Sequence, residues 1–526
     1  MENKLKIKNL KFKINIWPII FLGISILTIF FFLRLFHLAF LPIFADEAIY
    51  IRWSQVMRAE PTLRFLPLSD GKQPLFMWLT IPFLKIFTDP LISGRFLSIL
   101  CGLGSVLGLG FLTWLLFKEK RTALMVAFLY AILPFFVFFD RLALVDSMLL
   151  MFGTWLAFLS LWLIRSPRLD LTLISGLVLG GALITKSPAV FFAILFPLAL
   201  ITGEKLKKKI LPFLGFWFLI LVFGFGIYNF LLRLGPGFQM IAIRNRDYLF
   251  TFKEILSHPL DPLKPHLGDL RQWLPNLLTW PVLLASLGGI IVGLRKKWKA
   301  ALFLLIWMIV PLLTQAVFAK VFTPRYILFT IWPLVIFAAF FLEWLLVWLR
   351  KKYWVVIFLL IILVPGLRYN WWLLTNPEKA PLPRNLRNGH LEEWTAGQGI
   401  KESAGFLKER AKNNKVFVGT EGFFGTLPDG LQVYLEGTPN IRVIGVGWPV
   451  SEVSGSLINS LVDNEVYLLV NQSRLNLVPQ NNGLILVKEY VKAAWPDGSP
   501  RGEAGHRDKL LLFQLDKNYW EGQVRR

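Results

Sequence analysis

Eleven apolar runs, each near the length of a bilayer crossing, fill the first 370 or so residues of this 526-residue chain. A helix needs about 20 predominantly apolar residues to cross the hydrocarbon core. In lipid, every backbone amide must be satisfied within the protein, so runs of this kind are read as membrane helices. They fall near residues 17–40, 91–117, 121–139, 146–164, 170–186, 188–203, 210–233, 275–294, 300–319, 326–349 and 353–373. The chain is 55% hydrophobic, with 47 Phe and 21 Trp, and this excludes an ordinary soluble protein. The first run is too long for a signal-peptide core and no small-residue cleavage site follows it, so it is expected to stay as an anchor.

Basic clusters orient the spans. Lys4, Lys6, Lys8, Lys11 and Lys13 precede the first; Lys118, Lys120 and Arg121 follow the second; Arg165 and Arg168 follow the fourth. Lys205, Lys207, Lys208 and Lys209 follow the sixth, Arg295, Lys296, Lys297 and Lys299 the eighth, and Arg350, Lys351 and Lys352 the tenth. Every second short connection is therefore basic. The positive-inside rule then places the N-terminus in the cytoplasm and the C-terminus outside a multi-pass cell (plasma) membrane protein. The net charge of +24 belongs to this pattern, because residues 373–526 carry 18 Lys/Arg against 17 Asp/Glu. Membrane topology and anionic lipid account for it, and no nucleic-acid partner is expected. The single Cys101 excludes an intramolecular disulfide, and the five His residues show no helical ligand spacing.

Three parts follow from this layout. Residues 1–375 form the membrane unit, with long exoplasmic loops at 41–90 and 235–274. The first loop is expected to hold interfacial helices at Asp46–Arg58 and Pro74–Phe87; the second carries Arg244, Arg246, Asp247 and His258. Loops this long are usually functional or mobile. Residues 376–384 read as a Pro-rich linker, and 385–526 as an extracytoplasmic α/β domain. In that domain Ile400–Asn413 has helical periodicity. Lys415–Gly419, Ile441–Val446, Glu465–Asn471, Leu484–Tyr490 and Lys509–Leu515 read as strands. Its glycines (Gly419, Gly422, Gly425, Gly445, Gly447) form no nucleotide-binding pattern and read as turns.

The polar residues at the outer edge carry the chemistry. Asp46-Glu47 leave the first span with almost no linker, so both carboxylates sit at the depth of a lipid phosphate. Acids near a membrane are costly and usually have a task. Lys72, Arg95, Arg141, Asp146, Lys186, Arg325 and Tyr326 fall at the same edge although distant in sequence. Each alone has a simpler role. Lys72 and Arg95 could snorkel, Arg141 and Asp146 could form an ion pair, Lys186 could cap a helix, and Tyr326 could be an interfacial aromatic. Together, carboxylates among cations at phosphate depth suit a reaction with a phosphate leaving group. Asp46 and Glu47 are the candidate catalytic acids and bases; the others are candidate substrate-binding residues, with the cations stabilising charge on the phosphate.

The motifs that hold these residues resemble the GT-C superfamily of polyprenyl-phosphate-dependent glycosyltransferases. The similarity is greatest to the branch with the protein O-mannosyltransferases and the lipid A aminoarabinose transferases. It rests on Asp46-Glu47 with Tyr50; on Lys72-Gln73-Pro74-Leu75-Phe76-Met77-Trp78-Leu79; and on Gly94-Arg95-Phe96-Leu97-Ser98. Arg141-Leu142-Ala143-Leu144-Val145-Asp146, Leu183-Ile184-Thr185-Lys186-Ser187-Pro188 and Arg325-Tyr326-Ile327-Leu328 complete it. Gln73 stands where the family pattern usually has a proline. The resemblance implies a polytopic α-helical membrane protein of GT-C type with about eleven transmembrane helices. It implies an inverting transferase that moves a sugar from a polyprenyl-phosphate carrier to a protein, lipid or glycan acceptor. It assigns Asp46 as the principal catalytic carboxylate, Lys72 and Tyr326 to the donor phosphate, and Asp146 to the shape of the site. Arg325 as a further phosphate partner follows from its charge and depth. No cofactor is fixed by the resemblance, and a divalent metal stays open. A lipid-linked sugar flippase or transporter without transferase chemistry is the alternative, although transporters place their charges near the bilayer midplane.

Overall fold

The computed structural model describes residues 17–203, 210–349, 352–496 and 504–524. The basic clusters at Lys4–Lys13 and Lys205–Lys209, with Arg350 and Lys351, lie outside the described residues. All eleven apolar runs are helical. The first two runs are α1 (Trp17–Leu35) and, after five shorter elements, α4 (Pro90–Phe117). Between them lie α2 (Ala45–Ala59) and α3 (Leu75–Thr80), where two interfacial helices were expected; the second is one turn plus a 3-10 turn at Phe83–Lys85. The chain continues through α5 (Lys120–Ile132), α6 (Pro134–Asp140), α7 (Val145–Arg165), α8 (Leu169–Leu183), α9 (Val190–Leu195) and α10 (Ile210–Leu232). The second long loop folds into α11 (Met240–Tyr248), α12 (Phe252–Ser257) and α13 (Leu263–Leu278). Then follow α14 (Trp280–Lys296), α15 (Trp298–Phe318), α16 (Pro324–Ile327), α17 (Trp332–Trp348) and α18 (Lys352–Thr375).

The runs are not eleven straight spans. Among the described residues, five helices are long and apolar enough to cross a membrane: α4, α7, α10, α15 and α18. Counting each bent pair as one span gives seven. α5 and α6 meet at 61° across Leu133-Pro134, where proline cannot continue the helix. α13 and α14 meet at 106° across Thr279, whose φ is 68°. The stretch Ser187–Thr202 mixes 3-10 and α turns around Pro188 and Pro197. These departures are local breaks within apolar sequence, and the chain is a multi-pass membrane protein.

Small residues bring helices together where lipid offers no hydrophobic drive. α8 packs on α10 through Gly176, Gly180 and Gly224; a Cβ at any of them would meet the facing helix at 2.7 Å. At Gly289 of α14 a Cβ would lie 1.9 Å from the Phe337 carbonyl oxygen of α17, so only glycine allows that contact.

The C-terminal residues form a five-stranded sheet. It follows a buried segment with Pro377, Ala380 and Leu382 packed inward, then α19 (Arg384–Arg387) and α20 (Ile400–Ala411). The strands are β1 (Val416–Thr420), β2 (Ile441–Gly445), β3 (Glu465–Asn471), β4 (Leu484–Val491) and β5 (Lys509–Leu515), in the order β2-β1-β3-β5-β4. β1, β2 and β3 run parallel, with Val416 opposite both Ile441 and Glu465; β5 is antiparallel to β3 and β4. α21 (Asp429–Leu435) packs on α2 and α20, while α22 (Gly455–Ser460) covers β1 and β3; α23 (Lys517–Val524) follows β5. The contact between α21 and α2 sets the sheet beside the residues expected to carry the chemistry. Arg52 Nε donates to Gln432 at 3.1 Å, and Gln55 Nε2 to the Val433 carbonyl at 3.0 Å.

Candidate active site at the start of α2

α2 begins on backbone supplied from far away. Residues 395–397 pair with residues 43–45: the Ala45 N–H donates to the Thr395 carbonyl (3.1 Å), and Gly397 N–H to the Ile43 carbonyl (2.9 Å). His390 from the same segment lies against Phe44, ring centroids 4.2 Å apart; burial pushes its imidazole down to about 3, so it stays neutral. This fixed entry puts Asp46 in the first turn of α2, where the helix dipole favours an anion.

The two adjacent carboxylates part company there. Glu47 is fully buried. Its oxygens accept from Arg95 Nε (2.8 Å) and Nη2 (2.7 Å), from the Ala143 N–H (2.7 Å) and from the Phe44 N–H (3.0 Å). Arg95, also buried, donates further to the carbonyls of Leu38, Leu41 and Pro42 at 2.7–3.1 Å. Arg141 donates to the carbonyls of Leu33, Arg34, Phe36 and His37, and so caps the end of α1. It makes no pair with Asp146. Glu47, Arg95 and Arg141 were expected to meet substrate. The structure instead commits them to internal partners, because the carbonyls left at the end of α1 need donors where no water reaches. Arg34 and Asp140 complete this layer, with Nε–Oδ2 at 2.9 Å.

Asp46 points the other way. Its side chain is 15% exposed; it accepts from Arg325 and lies 3.7 Å from Lys72 Nζ. Burial alone would raise its pKa, but Arg325, Lys72 and Lys186 outweigh it and hold the carboxyl below the usual carboxylate range. For Lys72, burial works downward while the Asp46 and Asp70 carboxylates reverse it and keep the ammonium charged. Lys72 sits over the rings of Tyr50 (5.2 Å) and Trp53 (5.8 Å). Burial chiefly pushes the Tyr50 hydroxyl up, so it stays protonated.

Lys186 and Asp146 pair at 2.6 Å, and Lys186 lies 4.4 Å over the Tyr326 ring. Arg325 Nη2 donates to the Tyr326 hydroxyl at 3.3 Å. Gln73 Nε2 donates to Ser187 Oγ at 2.8 Å, tying the residue after Lys72 to the residue after Lys186. Asp46, Lys72, Asp146, Lys186, Arg325 and Tyr326 thus form one cluster drawn from five separate segments. Two further residues, neither among the candidate site residues read from the sequence, join it. Asp70 lies 3.4 Å from Lys72 and takes Arg244 Nη2 at 2.7 Å. Arg244 is on α11, so the second long loop reaches the cluster through this pair. Gly71, at φ 67°, allows both the turn and the approach of α11; a Cβ there would stand 2.6 Å from the Met240 carbonyl oxygen. Among the described residues no group of three or more His, Cys, Asp or Glu is placed to hold a metal.

A cluster of this composition can hold an anion between Lys72, Lys186 and Arg325 with one carboxylate beside it. The profile of the dolichyl-phosphate-mannose-protein mannosyltransferase family matches residues 71–228, which contain Lys72, Asp146 and Lys186. No curated protein sequence matches the chain. Among solved structures, ArnT from Cupriavidus metallidurans in the apo state is 14% identical, with a TM-score of 0.56, covering 95% of this chain and 98% of that one. The same protein bound to undecaprenyl phosphate matches with a TM-score of 0.56 over 94% of this chain and 98% of that one, again at 14% identity. The oligosaccharyltransferase of Archaeoglobus fulgidus, tethered to an acceptor peptide, is 12% identical, with a TM-score of 0.50, covering 87% of this chain and 69% of that one. At these identities the likeness is one of fold. The chain shares the fold of these structures, and its residues 71–228 are similar to the mannosyltransferase family.

Proposed function

We propose that the chain is an inverting glycosyltransferase that moves a sugar from a polyprenyl-phosphate carrier to an acceptor on the outer side of the plasma membrane. The observation that carries this reading is Asp46 held between Arg325 and Lys72 at the mouth of a GT-C fold. The similar ArnT structure bound to undecaprenyl phosphate supports a lipid-phosphate donor for this chain too.

The acceptor hydroxyl attacks the anomeric carbon from the face opposite the phosphate. The new carbon–oxygen bond forms as the bond to the phosphate oxygen breaks. The electron pair leaves on the lipid phosphate, and the proton goes to the Asp46 carboxylate. Lys72, Arg325 and Lys186 stabilise the phosphate, whose negative charge grows as the sugar departs. Tyr326 supports Arg325 and Lys186, and Asp146 positions Lys186. With its cations close, Asp46 is a weak base. A donor phosphate that draws Arg325 and Lys72 to itself removes part of that attraction and raises the basicity of Asp46 when substrate is in place. Glu47, Arg95 and Arg141 act by holding α2 and the end of α1 rigid.

Purified protein supplied with a panel of polyprenyl-phosphate sugars tests the reading. Sugar transfer or release of free carrier phosphate by wild type, lost in Asp46→Asn, is the expected result. Turnover in the variant equal to wild type removes Asp46 from the mechanism. Carrier lipid moved across vesicles without sugar release favours a flippase.

A further inference from the structure

The parallel part of the sheet has its switch point between β1 and β3, since the chain leaves β1 for β2 on one side and returns to β3 on the other. Ligands of open α/β sheets sit beyond the carboxyl ends of the strands at such a point. Here that edge carries Glu421 to Gly425 after β1, Val446 to Trp448 after β2, and Arg474 after β3. It is an unusually aromatic surface. Phe423 is 76% exposed, Trp448 62% and Phe424 44%.

The rings are held flat and linked. The Arg474 guanidinium lies between two indoles, 3.5 Å from the Trp394 centroid and 4.7 Å from that of Trp448. Trp394 packs on Gly425, and Phe424 lies tilted against Trp53 of α2, ring centroids 5.6 Å apart. Trp53 is the ring under Lys72. Ring contacts therefore lead from Lys72 over Trp53 to Phe424, while Arg474 joins Trp394 to Trp448.

The chemistry of the strip selects its occupant. Part of its backbone is already used: Gly422 N–H donates to Gly447, Val446 N–H to Thr420, and Gly425 N–H to Asp429. An extended peptide finds no ladder to join at these positions. Its charges are compensated as well. Glu421 accepts from the Asn471 N–H (2.6 Å) and Nδ2 (2.7 Å) and lies 3.8 Å from Arg474 Nε. What remains is a row of flat, electron-rich ring faces with polar edges. A sugar ring matches this, since its C–H face stacks on an aromatic face while its hydroxyls reach the polar rim. Resting on the transferase reading above, we propose that Phe424, Trp394 and Trp448, with Phe423, form the acceptor subsite of the enzyme, backed by the buried Trp53, and that the acceptor is a neutral glycan.

The test uses the full-length protein in nanodiscs, with no donor present. The probes are a fluorescent neutral hexose oligosaccharide panel, a Ser/Thr-rich peptide and vesicles of anionic lipid. Wild type is expected to bind at least one oligosaccharide. Trp448→Ala and Phe424→Ala should each weaken it about tenfold, and Trp448→Phe should restore much of the loss. Val462→Ser, at the opposite end of the sheet, serves as the control and should bind as wild type does. Equal binding by wild type and Trp448→Ala overturns the proposal, as does binding of the peptide or the vesicles alone. Affinity of wild type for polyprenyl phosphate is measured in parallel. Its absence strikes the transferase reading, while failure on the glycan side with lipid phosphate bound strikes only the acceptor subsite.

Discussion

Asp46 and Glu47 are neighbours in sequence and opposites in structure. Glu47 has four hydrogen bonds and no exposed surface; Asp46 has two cations and an open side. Successive residues on a helix are rotated by about 100°, which sends one carboxylate into the bundle and the other along its edge. The same division separates the cations. Arg95 and Arg141 are saturated by internal partners, whereas Lys72, Lys186 and Arg325 face carboxylates that a phosphate can displace. In the proposed mechanism the saturated layer supplies rigidity and the unsaturated one supplies reactivity.

Substitution at the two neighbours separates these roles most sharply. Asp46→Asn should fold and reduce transfer by about a hundredfold to ten-thousandfold, the usual range for loss of a general base. The depressed pKa of Asp46 fixes the direction of its pH dependence. Its contribution to stability is present above the unfolded carboxylate pKa and is lost only as pH falls through the lower folded value. The stability difference between wild type and Asp46→Asn should therefore be flat from pH 8 to pH 5 and change only below about pH 4. Thermal unfolding in detergent across that range measures it; a change centred near neutral pH would contradict the geometry.

Glu47→Gln should do the reverse. It leaves the Arg95 guanidinium buried without its counter-charge, a loss of about 3–5 kcal/mol. Melting temperature and detergent-extractable yield should drop, and any protein that still folds should keep measurable turnover. A stable but inactive Glu47→Gln enzyme would erase the distinction between the two carboxylates.

A smaller effect is expected among the open cations. Lys72→Ala and Arg325→Ala each remove charge-assisted contacts to the donor phosphate and should weaken apparent donor affinity about tenfold to a hundredfold. Acceptor affinity should move little. Kinetics with each substrate varied in turn settle this, and a uniform loss on both substrates would place the two residues with Arg95 instead.

The least effect belongs to Arg244. Its pair with Asp70 is partly exposed, and such pairs are worth about 0.2–1 kcal/mol, or less than about fivefold. Arg244→Ala should raise the donor KM within that limit by loosening α11 over Lys72. A larger loss would move Arg244 from the lid into the phosphate site.

Much of this was legible in the sequence. The bounds of α2, the strands Glu465–Asn471 and Lys509–Leu515, and the helicity of all eleven apolar runs follow from period and composition. The meeting of Asp46, Lys72, Lys186 and Arg325 was legible from charge and depth. The division between Asp46 and Glu47 was not, because it depends on Arg95, 48 residues on, and on the Ala143 N–H. The bend between α13 and α14 was hidden for a similar reason: Thr279 at positive φ leaves no mark in hydropathy. Asp70 and Arg244 look like ordinary loop charges until α11 packs on the turn at Gly71.

The strap formed by residues 388–397 bears on how such proteins can be recombined. It resides with the C-terminal segment in sequence, yet its backbone bonds and the His390 ring complete the entrance to α2. A chimaera joined in the Pro-rich stretch 376–384 would exchange that entrance together with the sheet and give Asp46 a foreign footing. Joining instead after Gln398, just before the left-handed Gly399, keeps the strap with its own bundle and transplants the sheet alone. The natural seam for grafting lies beyond α19 and the strap, later than the linker suggests.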